Sequence, residues 1–206
     1  MSQITLAFTA NNPSGASSHG FLDGTGALMT FPRHGKYYEG TYRGASGWAA
    51  NQALATTSAG LATTYTGICL SNPAGSGKNL VVQKVSAILD VAPSTVTGVG
   101  LIVGYSAAGI VTHTTPLTPY NALIGTSAAG LVGLADAACT LVGTPLWRQF
   151  LAETPTATTL VSYGSDIDGE IVLPPGAYMA IGTTIASPAS SFFGSISWEE
   201  LSTTNG

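Results

Sequence analysis

Charge is what this sequence lacks most. Six basic and ten acidic residues make only 8% of its 206 residues charged, where a soluble domain carries about 25%. A folded chain of 20.8 kDa exposes roughly 8,900 Å². That leaves about one charge per 560 Å², against roughly one per 180 Å² at ordinary composition. The surface must then consist of Thr, Ser, Gly, Asn and apolar atoms. Extended apolar surface on a water-soluble protein marks contact with something else, so the expectation is a subunit that buries its exterior against neighbours.

Other absences narrow the function. The net charge is −4 with a pI near 5.1, and the six basic residues are scattered. With no basic stripe, nucleic acid is not expected as a direct partner. Mean hydropathy is +0.32, yet no apolar run is long enough to cross a bilayer. The stretch from Val91 to Ala135 holds no Asp, Glu, Lys or Arg, but Pro93, Pro116 and Pro119 interrupt it. Its best apolar piece, "GVGLIVGYSAAGIV", is too short for a spanning helix. "MSQITLAFTANN" has neither a basic start nor a long apolar core, so no secretory signal is read there. The two cysteines, Cys69 and Cys139, each lie among small and apolar neighbours. Buried free thiols are expected, not a disulfide framework or a metal site.

Catalytic patterns are missing too. "SNPAGSGKNLVVQ" (residues 71–83) suggests a phosphate loop, but Asn79 follows Gly77-Lys78 where a Ser or Thr is needed, and Asn72 stands where the first Gly belongs. Strands flank it, and a phosphate loop opens a helix. It reads as an inter-strand turn with Lys78 at the solvent-facing start of the next strand. Asp166, Asp168 and Glu170 in "GSDIDGEI" lack the spacing of a calcium loop and read as an Asp-Gly turn. Glu199 and Glu200 are adjacent, so on a strand they diverge and cannot flank one bond; they read as part of an edge or interface strand. His19, His34 and His113 have no partner at metal-ligand spacing, and no Gly-x-Ser-x-Gly elbow occurs. No enzyme, cofactor or metal is expected.

What is present is a chain of strands behind a Gly- and Ser-rich start. Residues 1–60 lack sustained periodicity and cannot pack a core alone. They are expected to form an extended N-terminal arm with at most one short helix, in "GWAANQALATTSAG". There Trp48, Gln52 and Thr56 would share a face with Ala49 and Ala53. From about residue 61 to 206 the pattern becomes strand-like: "TTYTGICLSN", "KNLVVQKVSAILDV", "GVGLIVGYS", "CTLVGTPLWRQFLAE", "TTLVSYGS", "GEIVLPPGAYMAIGTTI" and "SFFGSISWEEL". The second also fits a helix, but its β-branched content and its Gly and Pro brackets favour a strand with Val81, Val85, Ala87 and Leu89 on one face. In the last, Phe193, Ser195, Ser197 and Glu199 alternate with Gly194, Ile196, Trp198 and Glu200. Many short strands at regular spacing predict an all-β, antiparallel sandwich. Tyr37, Tyr38, Tyr42 and Trp48 form the one aromatic cluster. They are the candidate inter-subunit contacts, since aromatics are enriched at interfaces; stacking on sugars or bases is the alternative.

Several passages together carry a resemblance: "YTGICLSNPAGSGKNLVVQKVSAIL", "TTPLTPYNALIG", "CTLVGTP" and "GEIVLPPGAYMAIGTT" with "GSISWEEL". Over roughly residues 35–201 the chain resembles small virion structural proteins of tailed bacteriophages. The resemblance implies a jelly-roll sandwich and a head decoration (cement) protein, or a related head or tail fibre component, on the capsid surface. It implies a homotrimer whose partner is the major capsid protein or another virion protein, and it brings no catalytic residues. The competing expectation is a receptor- or glycan-binding module displayed on the particle, since jelly rolls also serve as lectins.

Overall fold

The computed structural model describes residues 21–22, 28–29, 35–51, 53–56, 60–107, 111–125, 130–156, 159–185 and 191–203. The chain divides into two compact units, Met1–Tyr38 and Glu39–Gly206. In the first, β1 (Phe21–Leu22) and β2 (Leu28–Met29) form a short antiparallel pair. Helix α1 (Tyr38–Tyr42) begins at the end of this unit.

The second unit is a sandwich of two antiparallel sheets. Its strands, in chain order, are β3 (Ser46–Ala50), β4 (Ala55–Thr56), β5 (Thr64–Ser71), β6 (Lys78–Val91), β7 (Gly98–Tyr105), β8 (Thr112–Leu117) and β9 (Tyr120–Asn121). They continue with β10 (Leu134–Thr140), β11 (Leu146–Glu153), β12 (Ser162–Asp166), β13 (Val172–Leu173), β14 (Ala177–Thr183) and β15 (Ser191–Ser202). One sheet runs β11-β7-β14-β5-β10-β8; the other runs β12-β6-β15-β3-β9, with β13 also on β6 and β4 also on β15. Late strands fill gaps between early ones: β14 lies between β7 and β5, and β15 between β6 and β3. Such long-range pairing is the wiring of Greek-key sandwiches. The all-β sandwich expected from sequence is what forms, though sheets of six and seven strands exceed the eight strands of a plain jelly roll.

The main core lies between the sheets. Ile68, Leu70, Val82, Val85, Leu101, Met179, Ile181, Phe192, Ile196 and Trp198 meet there, each contributing about 1.5–3 kcal/mol on full burial. β15 follows the expected alternation: Phe192, Gly194, Ile196, Trp198 and Glu200 are buried, while Phe193, Ser195, Ser197 and Glu199 are half-exposed. Being paired with β6 on one side and β3 on the other, β15 is a central strand and not an edge.

A second, smaller cluster covers the outer face of the six-stranded sheet. It contains Tyr65, Cys69, Ile102, Cys139, Tyr178 and Ala180, roofed by Val111, Leu141 and Trp147. Both cysteines are free and buried.

The expected helix over "GWAANQALATTSAG" does not form in its described part. Ser46–Ala50 is a strand, with Ser195–Glu199 of β15 as its partners. The reason is packing. Gly47 lies against Trp198, so that a Cβ there would come within 3.0 Å of the indole ring. Asn51 then ties the strand end to β15: its Nδ2 donates to the Phe192 carbonyl at 3.0 Å, and its Oδ1 accepts from the Gly194 N–H at 2.5 Å. Ala and Gly suit a helix by propensity, but here they are the small residues that let a strand clear a Trp. The sandwich therefore takes in Ser46–Ala50 and Ala55–Thr56, which the sequence places in the 1–60 arm.

Candidate interaction surfaces

Of the four aromatic candidates, Trp48 sits on β3, on the opposite face from the buried Ala49. Its ring stacks on Tyr120 of β9, with centroids 5.0 Å apart and planes at 25°. Tyr38 and Tyr42 are exposed on α1. Tyr37 lies in the preceding turn, with Lys36 Nζ 5.6 Å from its ring centroid. The four do not share one element: three lie at the helix and one on the sheet. Tyr120, the stacking partner, was not a candidate from sequence. It is brought beside Trp48 only by the β3–β9 pairing, in which the two stand opposite each other.

The Gly-rich stretch at 74–77 is part of the loop between β5 of one sheet and β6 of the other. Gly75 and Gly77 have φ of 78° and 70°, which only glycine adopts readily. Lys78 is not free at a solvent-facing strand start. Its Nζ donates to Glu200 Oε2 at 2.9 Å and to the Gly130 carbonyl at 2.6 Å. Glu200 points into the sandwich and is buried. Its carboxylate also accepts from the Val132 N–H (2.8 Å), the Gly133 N–H (2.9 Å) and Trp198 Nε1–H (3.2 Å). A buried carboxylate needs this many donors to offset its lost hydration. The group anchors the 130–133 loop; Glu199 faces the other way, as expected of neighbours on a strand.

The three acidic residues at 166–170 separate as well. Asp166 pairs with Lys84 at 3.0 Å and Glu170 with Arg148 at 2.6 Å. Asp168 and Gly169, at φ of 55° and 85°, make the Asp-Gly turn. Among the described residues no group of three or more His, Cys, Asp or Glu is arranged to hold a metal ion.

Two polar groups lie beside the outer cluster. His113 Nδ1 and Asp136 Oδ2 are 2.7 Å apart, and Asp136 is buried with its Oδ1 unpartnered. Burial pushes the Asp136 carboxyl above its ordinary range, and the His113 hydrogen bond and charge pull it back only in part. Within the cluster, a hydrogen bond with Cys139 and then burial hold the Cys69 thiol well up. Burial pushes Tyr178 up to about 12. With their pKa values raised, the Cys69 thiol and the Tyr178 hydroxyl keep their protons at neutral pH.

A groove of about 690 Å³ opens at one side of the sandwich. One wall comes from β7 and β11 (Val103, Tyr105, Leu146, Arg148), the other from the 170–174 segment (Ile171, Val172, Leu173, Pro174), and Ala177 and Tyr178 also line it. The Arg148–Glu170 pair joins the two walls. The lining is mainly apolar, and Tyr178 is buried with its hydroxyl lacking a hydrogen bond. None of this was legible in sequence, because four separate segments build it. Comparison with known proteins finds no match: no family model, no curated protein and no solved structure is similar to this chain.

Proposed function

We propose that this chain is a structural component of a bacteriophage virion, a decoration (cement) subunit that binds the assembled head and stabilises it. The observation that carries the reading is the exterior of the sandwich: sparse charge combined with large apolar side chains left in water. Ile124, Tyr42, Phe150 and Leu146 are 81%, 67%, 63% and 58% exposed. Such a surface favours burial in an assembly. A subunit that binds only the closed shell stabilises that shell by mass action. On this reading the partners are further copies of the chain, as a trimer, and the major capsid protein. The test compares decorated with stripped heads under heat and osmotic shock. Decorated heads are expected to retain their contents at temperatures where stripped heads release them; equal resistance would count against a cement role.

One observation favours a second reading, a glycan-binding module on the particle. The Trp48–Tyr120 stack is a partly exposed aromatic platform, and such platforms stack on sugar rings. Glycan-array binding that disappears in Trp48→Ala would support it over the cement role.

A further inference from the structure

The face of the seven-stranded sheet turned away from the core carries one continuous row across five strands. Tyr120 of β9 stands opposite Trp48 of β3, and Trp48 opposite Ser197 of β15. Ser197 in turn stands opposite Lys84 of β6, and Lys84 opposite Asp166 of β12. Directly opposed residues share a face, and all five are half-buried or exposed. Aromatic rings stand at one end of the row. An ion pair stands at the other, with Lys84 Nζ 3.0 Å from Asp166 Oδ1.

The rings give the row a direction. The Trp48 and Tyr120 centroids are 5.0 Å apart with planes at 25°, and paired strands lie about 4.8 Å apart. The rings therefore stack along the line of strand pairing. Tyr120 covers one face of the indole, and the other face looks across Ser197 towards Lys84. β3 and β6 are two strand spacings apart, roughly 10 Å. The result is a slot with an indole wall, a short serine floor and a charged wall. A Cβ on Gly40 of α1 would come within 2.7 Å of Ser46 and Glu199 in the next row, so the helix closes one end. At the other end the next row is Ala50, Ser195, Ser86 and Gly164, whose small side chains leave the slot open.

The walls select the ligand. A cation would meet the Lys84 ammonium and an anion the Asp166 carboxylate, side chains that are 60% and 57% exposed. The slot therefore favours an uncharged guest. One side of that guest must lie on the indole, and its rim must hydrogen-bond to charged partners. A pyranose ring does both: it has C–H groups on a face, and hydroxyls that donate to a carboxylate and accept from an ammonium. A ring about 4 Å from the indole leaves roughly 6 Å to β6. A ring hydroxyl and one hydrogen bond of about 3 Å fill that distance.

We propose that this slot binds one uncharged pyranose unit of an oligosaccharide, stacked on Trp48 and hydrogen-bonded through neighbouring hydroxyls to Lys84 and Asp166. The inference rests on the glycan-binding reading of the Trp48–Tyr120 stack. It adds the second wall, the neutrality of the sugar and the clearance set by Ser197.

The test screens the full chain against neutral oligosaccharides of glucose, galactose or mannose, beside sialylated and free-amine glucosamine oligosaccharides. The tightest neutral binder is then titrated by calorimetry. Charged counterparts are expected to bind at least tenfold more weakly. Lys84→Ala and Asp166→Ala should each weaken the neutral sugar at least tenfold, and Ser197→Leu, which fills the slot, should abolish binding. Arg148→Ala, which breaks a surface ion pair elsewhere, should leave it unchanged. Unfolding midpoints confirm that each variant is folded. Binding that is lost in Trp48→Ala but indifferent to Lys84→Ala and Asp166→Ala would overturn the slot and leave the glycan reading standing. A preference for charged sugars would also overturn the slot alone, and no binding to any sugar would overturn both.

Discussion

Glu200 and Asp136 are both buried carboxylates, and their surroundings give them opposite characters. Glu200 accepts from two backbone N–H groups, an indole and an ammonium. Glu200→Ala leaves those donors without an acceptor, and removing one partner of a buried pair costs about 3–5 kcal/mol. Chemical denaturation should show that loss as a lower midpoint with an unchanged slope. Asp136 has one polar partner, His113, and its carboxyl is raised. A raised acid holds its proton in the native state after the unfolded chain has released it. Its contribution to stability therefore falls as pH rises from the ordinary Asp value of about 4 through the raised native value. Asp136→Asn abolishes that titration. Urea midpoints across this window should show the parent losing ground to Asp136→Asn as pH rises; parallel curves would contradict the assignment.

At the scale of elements, bulges decide what sequence could show. The pattern of β15 was legible residue by residue, because its inward set Phe192, Gly194, Ile196, Trp198 and Glu200 never breaks step. β6 was legible as a strand but not in its first half. Ser197 faces Lys84 while the next residue, Trp198, faces Val82. The extra residue, Gln83, shifts the inward positions from Val85 and Ala87 to Val82 and Leu80, so Val81 turns outward, against expectation. β8 went unread because Pro116 interrupts it, which an edge strand tolerates. β3 was read as a helix because its small residues carry no strand signature; only Trp198, 150 residues away, explains them. β5 bulges at Gly67, where Cys69 faces Asp136 but Thr66 faces Ala138. Gly67 has φ of 139°, and a Cβ there would meet the Tyr65 hydroxyl and, at 2.7 Å, the Phe192 ring. Gly75 has φ of 78° with open space around it. Gly75→Ala should therefore cost about 1 kcal/mol, from backbone conformation alone. Gly67→Ala should cost about 3 kcal/mol or more, since core overpacking is added. Thermal unfolding of the two variants checks the difference; equal losses would contradict the bulge as described.

For the whole molecule, the folded sandwich and the proposed assembly answer to the same shortage of charge. The buried carboxylate of Glu200 is held by Lys78 and several other donors, and surface charges such as Arg148 and Glu170 pair with each other. Outside, few remain to keep subunits apart by repulsion or to steer them together over distance. The proposed association would then rest on apolar area, and salt should hardly affect it. The aromatic candidates show how far sequence reached here. Trp48 stacks on Tyr120, a neighbour that only the β3–β9 pairing supplies; the groove beside β11 needed the fold. The central claim, that this exterior belongs against an assembled shell, is tested most directly by co-sedimentation. Purified chain is mixed with assembled heads lacking it, and with unassembled capsid protein, from low to high salt. Saturable, stoichiometric binding to heads alone, nearly unchanged by salt, is the expected result. Chain that stays in the supernatant with heads, or binds free capsid protein equally well, would contradict it.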